Sequence, residues 1–263
     1  MNDILLTEID RRGVARVTMN RPAQRNAFND ALIAALADSF ERLGKHPDVR
    51  VVILCGAGPT FSAGADLAWM KAAAGYGEQE NHADALRLSG MLHRLDRCPK
   101  PTLALVQGAA LGGGAGLVAC ADIVIAVRDA RFGFTEVRLG LIPATISPYV
   151  LAKIGVAAAR RYFLTGERFT AEAAQAIGLV HQTVGSAEDL ESAGEQLVEA
   201  LLAGAPGAQA AAKALIADIA GRPVDAALRE ETAARIAARR AAAEAREGMA
   251  AFFARRKPDW IRE

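Results

Sequence analysis

Cysteine is scarce in this chain of 263 residues: there are three, Cys55, Cys98 and Cys120, an odd number with no C-x-x-C pair. No disulfide framework or cysteine-based zinc site can be read from them, and a reducing cytosol is the expected setting. The four histidines, His46, His82, His93 and His181, lack zinc-type spacing, so no metal is expected. Charge of one sign is missing too. Lys and Arg number 31 against 30 acidic residues, a formal net charge of +1 that asks for no polyanion. The basic runs Arg239-Arg240 and Arg255-Arg256-Lys257 are short and there is no lysine-rich helix, so no nucleic-acid partner is expected. No apolar run reaches the roughly 20 residues of a membrane span. The opening Met1-Asn2-Asp3-Ile4-Leu5-Leu6-Thr7-Glu8 is acidic and short of apolar length, so neither a signal nor a transit peptide is expected. The expectation is a soluble cytoplasmic protein without membrane association.

What is present is an alternation of periods. Short strands are expected at residues 4–9 and 14–19, joined by a turn at Arg11-Arg12-Gly13. Leu32, Leu36, Phe40 and Leu43 recur at helical spacing, predicting a helix over 30–43 that ends at Gly44. Val51-Val52-Ile53-Leu54 reads as a buried strand, and Asp66 as the N-cap of the next helix. Residues 72–82 are polar and show no apolar period; a mobile surface segment is expected there, in a position to act as a lid. A helix over 83–95, a strand over 102–106, a helix over 115–120 and a strand over 122–126 follow. This succession predicts stacked βα units. Beyond Pro148 alanine-rich helical stretches dominate, broken near Gly166, Gly178, Ser186, Pro206 and Pro223. The stretch 225–246 reads either as a solvated surface helix or as one held by tertiary or subunit contacts, since helical propensity alone is marginal. The expected division is an α/β core over 1–195 and a helical C-terminal region over 196–263.

The clearest chemical signal is a pair of glycine-rich turns, Ser62-Ala63-Gly64-Ala65-Asp66-Leu67 and Gly108-Ala109-Ala110-Leu111-Gly112-Gly113-Gly114-Ala115-Gly116. Each follows an apolar strand-like run and leads into a helical pattern. Glycine allows close approach of backbone to ligand, and a helix N-terminus presents unpaired N–H groups at the positive end of its dipole. Two such turns facing one point would hold an oxygen that gains negative charge. A G-x-G-x-x-G dinucleotide fingerprint does not fit, because the first and third glycines of that spacing fall out of register around Gly112-Gly113-Gly114.

These elements together resemble the crotonase (enoyl-CoA hydratase/isomerase) superfamily over most of the chain. Asn20-Arg21-Pro22-Ala23-Gln24-Arg25-Asn26-Ala27-Phe28 is similar to its N-R-P-x-x-x-N-A segment, and Phe61-Ser62-Ala63-Gly64-Ala65-Asp66-Leu67 to its F-x-A-G-A-D-[IL] turn. Gly108 to Gly116 matches G-x-A-x-G-G-G. Phe132-Gly133-Phe134-Thr135-Glu136-Val137-Arg138-Leu139-Gly140 matches F-x-x-x-E-x-x-x-G. Thr165-Gly166-Glu167-Arg168-Phe169-Thr170-Ala171 and Ala176-Ile177-Gly178-Leu179-Val180 resemble T-G-x-x-[FI]-x-A and G-L-V. The resemblance implies a spiral of ββα units, a helical C-terminal region that builds trimers or dimers of trimers, a coenzyme A thioester as substrate and no further cofactor. It implies that the N–H groups of Ala65 and Gly113 form an oxyanion hole. Arg25, Ala27, Ala63, Asp66 and Leu67 would lie along the coenzyme A. Trp69, Met70, Met91 and Pro143 are expected around the acyl group, with Leu92 beside them; Met91 and Leu92 fit an ordinary core as well.

One departure stands out. Many hydratases of the superfamily carry two glutamates twenty residues apart; here the second is Glu136 and the first position is Gly116. Glu136 is the expected general acid/base, raised in pKa if its pocket is apolar; the competing reading is a surface carboxylate paired with Arg131 or Arg138. A single glutamate suits a Δ3,Δ2-enoyl-CoA isomerase, or a hydratase that positions water with Glu136 and the Gly116 backbone. The segment Leu139-Gly140-Leu141-Ile142-Pro143-Ala144-Thr145-Ile146-Ser147-Pro148-Tyr149-Val150 resembles that of bacterial 3-methylglutaconyl-CoA and isohexenylglutaconyl-CoA hydratases, whose substrates bear a second carboxylate. Room above Gly116, walled by the 143–148 segment, is expected to admit such a group, unless the two prolines only shape a helix start. A different class, a coenzyme A thioester-binding scaffold without activity, would be consistent with the missing glutamate alone.

Overall fold

The computed structural model describes residues 3–261. Its core is a six-stranded sheet in the order β1-β2-β3-β4-β6-β9. The hairpin of β1 (Leu5–Ile9) and β2 (Val14–Met19) is antiparallel and turns at Gly13. From there the pairing is parallel through β3 (Val51–Gly56), β4 (Thr102–Val106), β6 (Ile123–Val127) and β9 (Gln182–Val184). Parallel strands need crossovers that cover the sheet, which is why β3 and β4 are buried at every position and, Thr102 apart, carry no polar side chain. A second sheet is small: β5 (Ala109–Leu111) pairs parallel with β7 (Arg131–Gly133), which pairs antiparallel with β8 (Arg168–Thr170).

The crossovers are α1 (Asp30–Lys45), α2 (Leu67–Ala73) with α3 (Glu78–Asp96), and α4 (Gly113–Cys120). α1 turns Leu32, Leu36, Phe40 and Leu43 into the core, as their spacing predicts. It runs one residue past Gly44 and ends at Lys45, so that glycine lies inside the helix rather than at its cap. The expected loop over 72–82 is mostly helical. Only 74–77 separates α2 from α3, whose first turn begins at Glu78, with Glu80 bonding back to the Gly77 N–H. That turn is exposed, so it carries no apolar stripe, and periodicity is silent where a helix faces water on all sides.

After β7 a single 3-10 turn over Glu136–Leu139 precedes α5 (Ser147–Thr165), with Pro148 in its first turn. Then come α6 (Ala171–Ala176), α7 (Ala187–Ala203), α8 (Pro206–Ile219), α9 (Ala226–Ala241) and α10 (Ala243–Phe253). α7 packs on the sheet and continues across the 195/196 division expected from composition. The alanine-rich stretch 225–246 is two helices, parted at Ala242, whose backbone is extended. Among the described residues no single helix is long and apolar enough to cross a membrane.

Candidate active site

The two glycine turns run side by side. Ser62 N–H donates to the Ala109 carbonyl (2.9 Å) and Leu111 N–H to the Ser62 carbonyl (3.0 Å), a parallel bridge of Ser62 with Ala110. Gly64 (φ +89°) approaches the second turn so closely that a Cβ there would sit 2.8 Å from the Leu111 carbonyl oxygen. Gly112 (φ +50°) turns the chain into α4 and donates its N–H to the Gly133 carbonyl of β7 (2.9 Å). Side chains are disfavoured at both positions by backbone angle and by space.

The first turn is also tied to the segment before α1. Phe28 N–H donates to the Gly64 carbonyl (2.7 Å), and Asp66 N–H donates to the Phe28 carbonyl (2.9 Å). Phe28 thus forms a parallel bridge with Ala65. In such a bridge the middle residue directs its own N–H away from its partner, so the Ala65 amide faces the opposite side. Gly113 is the first residue of α4, where the N–H has no intrahelical acceptor. Among the described residues neither amide is recorded with an acceptor.

Glu136 reaches the same place by another route. β7 lies beside β5, and three residues beyond its end Glu136 opens the 3-10 turn. Its Oε1 lies where a Cβ on Gly112 would be 3.3 Å away. Its Oε2 is buried without a hydrogen-bond partner. Burial pushes this carboxyl up from the ordinary glutamate range, partly opposed by a backbone hydrogen bond. Among the described residues no ion pair joins it to Arg131 or Arg138, the partners a surface carboxylate would have taken. A half-buried acid with one oxygen unpartnered, set against Gly112 next to the Gly113 amide, can move protons next to a developing oxyanion.

Gly116 does not open a space. It is buried, and a Cβ there would collide with Ile146 Cγ2 and lie 3.0 Å from Ile146 Cβ and 3.6 Å from Leu92 Cδ2. Ile146 is 1% exposed, so the room expected above Gly116 is filled by a core side chain from the turn entering α5.

Of the residues expected along coenzyme A, Arg25 is exposed with a left-handed backbone (φ +51°), and its carbonyl accepts from Ala63 N–H (2.9 Å). Ala27 is buried and its carbonyl accepts from the Arg21 guanidinium. Arg21 also pairs with Asp66 at 2.9 Å, with both side chains largely buried. That guanidinium holds the Asp66 carboxyl below the ordinary range. The other Asp66 oxygen caps α2 by accepting from Ala68 and Trp69 N–H. Its carboxylate is therefore engaged within the protein. Leu67 beside it is 83% exposed.

Of the four acyl-site candidates, only Trp69 lines either of two cavities of about 600 and 700 Å3. Trp69 lines a cavity of about 600 Å3 with Arg21, Asn29, Asp66, Ala72 and Tyr76, and its Nε1 is buried without a partner. Met70 is half-buried on the same helix, Met91 is fully buried in the core and Pro143 is buried in the turn before α5. Glu136 lies outside this cavity, and outside a second one of about 700 Å3 between the ends of α3, α4, α5 and α8.

Several residues that the motifs contain or adjoin, without an expected role of their own, build the site. Asn26 is fully buried; its amide donates to the Ala57 and Thr60 carbonyls, while its oxygen accepts from Arg21 N–H. Its left-handed backbone (φ +53°) suits asparagine better than most residues. Phe28, Ser62 and Ile146 have structural tasks no local pattern announces.

Comparison with known proteins agrees with this geometry. The enoyl-CoA hydratase/isomerase family profile matches residues 10–263. A provisionally named enoyl-CoA hydratase of Thermus thermophilus is 37% identical over 201 residues, 76% of this chain and 79% of its own. The 2,3-dehydroadipyl-CoA hydratase of Escherichia coli is 35% identical over 215 residues, 81% of each chain. The crystal structure of an enoyl-CoA hydratase from Shewanella pealeana superposes with a TM-score of 0.95 at 40% identity, covering 98% of this chain and 96% of that one. By fold, by sequence and by the paired glycine turns, the chain belongs to the enoyl-CoA hydratase/isomerase (crotonase) family and is an enzyme of that family.

Proposed function

We propose that the chain hydrates a 2-enoyl-CoA thioester with a branched acyl group bearing a second carboxylate, such as 3-methylglutaconyl-CoA or isohexenylglutaconyl-CoA. One observation carries the chemistry: the half-buried Glu136 has its Oε2 buried without a partner and its Oε1 against Gly112, next to the free Gly113 amide. Glu136 takes a proton from water as the water oxygen bonds to C3. The electrons of the C2–C3 double bond move toward the thioester oxygen, where the two amides receive the charge. A proton then returns to C2. Losing one such donor raises a barrier by about 3 kcal/mol. Arg25, Ala27, Ala63, Asp66 and Leu67 line the coenzyme A, chiefly through backbone and the exposed Leu67. Trp69 and Met70, neighbours on α2, are the acyl-group candidates the structure keeps partly accessible, while Met91 and Pro143 are buried. The working unit is a trimer or a dimer of trimers.

The carboxylated substrate rests on the likeness of the 139–150 segment, and on a relative whose name specifies the diacid-derived 2,3-dehydroadipyl-CoA. Gly116 adds nothing to it, because Ile146 fills that space. The same filled position favours the second reading, a Δ3,Δ2-enoyl-CoA isomerase, in which Glu136 alone carries a proton from C2 to C4. Turnover of 3-methylglutaconyl-CoA, crotonyl-CoA and a 3-enoyl-CoA in one assay separates the two. Hydration of the first should exceed that of crotonyl-CoA in kcat/KM by about 100-fold, since a site built for a polar group rejects the analogue lacking it. Faster conversion of the 3-enoyl-CoA would make isomerisation the function.

A further inference from the structure

We propose that Phe28 is a positioning residue that fixes the separation and direction of the two oxyanion amides. This rests on the assignment of that role to Ala65 and Gly113. Phe28 touches both halves of the site by different parts of one residue. Its N–H and carbonyl hold the peptide units on either side of Ala65, at 2.7 and 2.9 Å, and leave the Ala65 N–H turned away. Its ring lies on Gly113: a Cβ on that glycine would be 2.6 Å from Phe28 Cε2 and 2.8 Å from Cδ2. The ring is 1% exposed and sits within the hydrophobic core, so it cannot swing away from the start of α4.

The consequence is a rigid spacer. Ala65 cannot move toward Gly113 without breaking two backbone bonds to Phe28, and α4 cannot advance toward Ala65 without driving Gly113 into the ring. The motif segment before α1 thereby reaches both amides. Gly113 has a side-chain-free Cα because the ring needs that surface. Oxyanion donors act only when held in place before the charge develops, so a loose spacer lowers turnover without removing any group that touches substrate.

The test separates positioning from packing. A chromophoric thioester, 4-dimethylaminocinnamoyl-CoA, is bound to the wild-type protein and to Phe28→Leu and Phe28→Ala. Its absorbance red shift reports polarisation of the thioester carbonyl by the amides, and titration gives the dissociation constant. Phe28→Leu keeps an apolar core side chain and guards against a variant that merely fails to fold. The expected result is a red shift in the wild type, cut by half or more in Phe28→Leu and further in Phe28→Ala. The dissociation constant should stay within about 3-fold and kcat should fall by about 10-fold or more, the behaviour of an interaction made chiefly in the transition state. A full red shift and normal kcat in Phe28→Leu would overturn the proposal. So would a loss of activity explained by weaker binding with the shift of the bound ligand unchanged. No red shift in the wild type would instead remove the oxyanion assignment on which the proposal stands.

Discussion

Glu136 combines two properties that oppose one another. An ionised carboxylate buried without a partner is costly, and the same burial raises its affinity for a proton. Its pKa is raised in the folded state, so the folded protein binds this proton more tightly than the unfolded chain does. Its stabilising contribution is present at low pH and is lost as pH rises through the raised value. Above the raised value the ionised carboxylate carries the cost of its desolvation. Glu136→Gln removes that cost while keeping the shape, so it should melt at a higher temperature than wild type at neutral pH, with the difference vanishing in acid; a calorimetric scan at two pH values checks this. The same variant should lose two or more orders of magnitude in kcat, about the range expected for general acid–base catalysis. In the wild type, activity that uses the ionised base should fall off on the acid side at a higher pH than an ordinary glutamate would give, and a pH–rate profile reads that limb directly. Near-normal turnover in Glu136→Gln would take the residue out of the mechanism.

At the scale of elements, the segment entering α5 and the helix α4 interlock through one glycine and one isoleucine. Helix propensity alone would favour Gly116→Ala by about 1 kcal/mol. Overpacking against Ile146 Cγ2 and Cβ, in a fully buried setting, costs about 1–3 kcal/mol and outweighs it. Gly116→Ala should therefore shift the denaturation midpoint downward. Ile146→Leu, which lacks the branch at Cβ that makes the collision, should recover part of that loss in the double variant, so that the two changes are not additive. Additive losses would mean the helices are not locked at this point. The interlock also explains why a second glutamate has no place here: its stem would have to displace a core side chain. The elements around it were legible to different degrees. β3 and β4 announce themselves by continuous apolar runs, α1 by its stripe. α2 follows its cap at Asp66. The start of α3 gave no sign because a solvated turn has no period to read, and the break at Ala242 falls in an alanine-rich run where neighbouring residues look alike.

Across the whole molecule exposed apolar side chains occur in several places, and the C-terminal helices carry one group of them. Val224, Met249, Phe252 and Phe253 are all at least half exposed, and in α9 and α10 only Leu228 and Ala251 are buried. Met249, Phe252 and Phe253 fall at i, i+3 and i+4 on α10, and such an exposed apolar stripe marks an association site rather than ordinary exterior. With a protomer of 27.6 kDa, sedimentation equilibrium should return a multiple of three protomers. Phe252→Ser with Phe253→Ser should shift the population toward smaller species, with little change in the far-ultraviolet signature of the core. A wild-type protein that sediments as one protomer would set aside the trimer.

The chain by itself determined the class of fold, the two glycine turns and the Asp66 cap, because each is a short-range matter of period, backbone angle or motif. Only the tertiary structure decided that Phe28 touches both Ala65 and Gly113, that Ile146 closes the space over Gly116, and that Glu136 Oε2 is buried without a partner. Those facts join residues far apart along the chain, and a sequence pattern tells which face of an element is turned inward without telling what will lie against it.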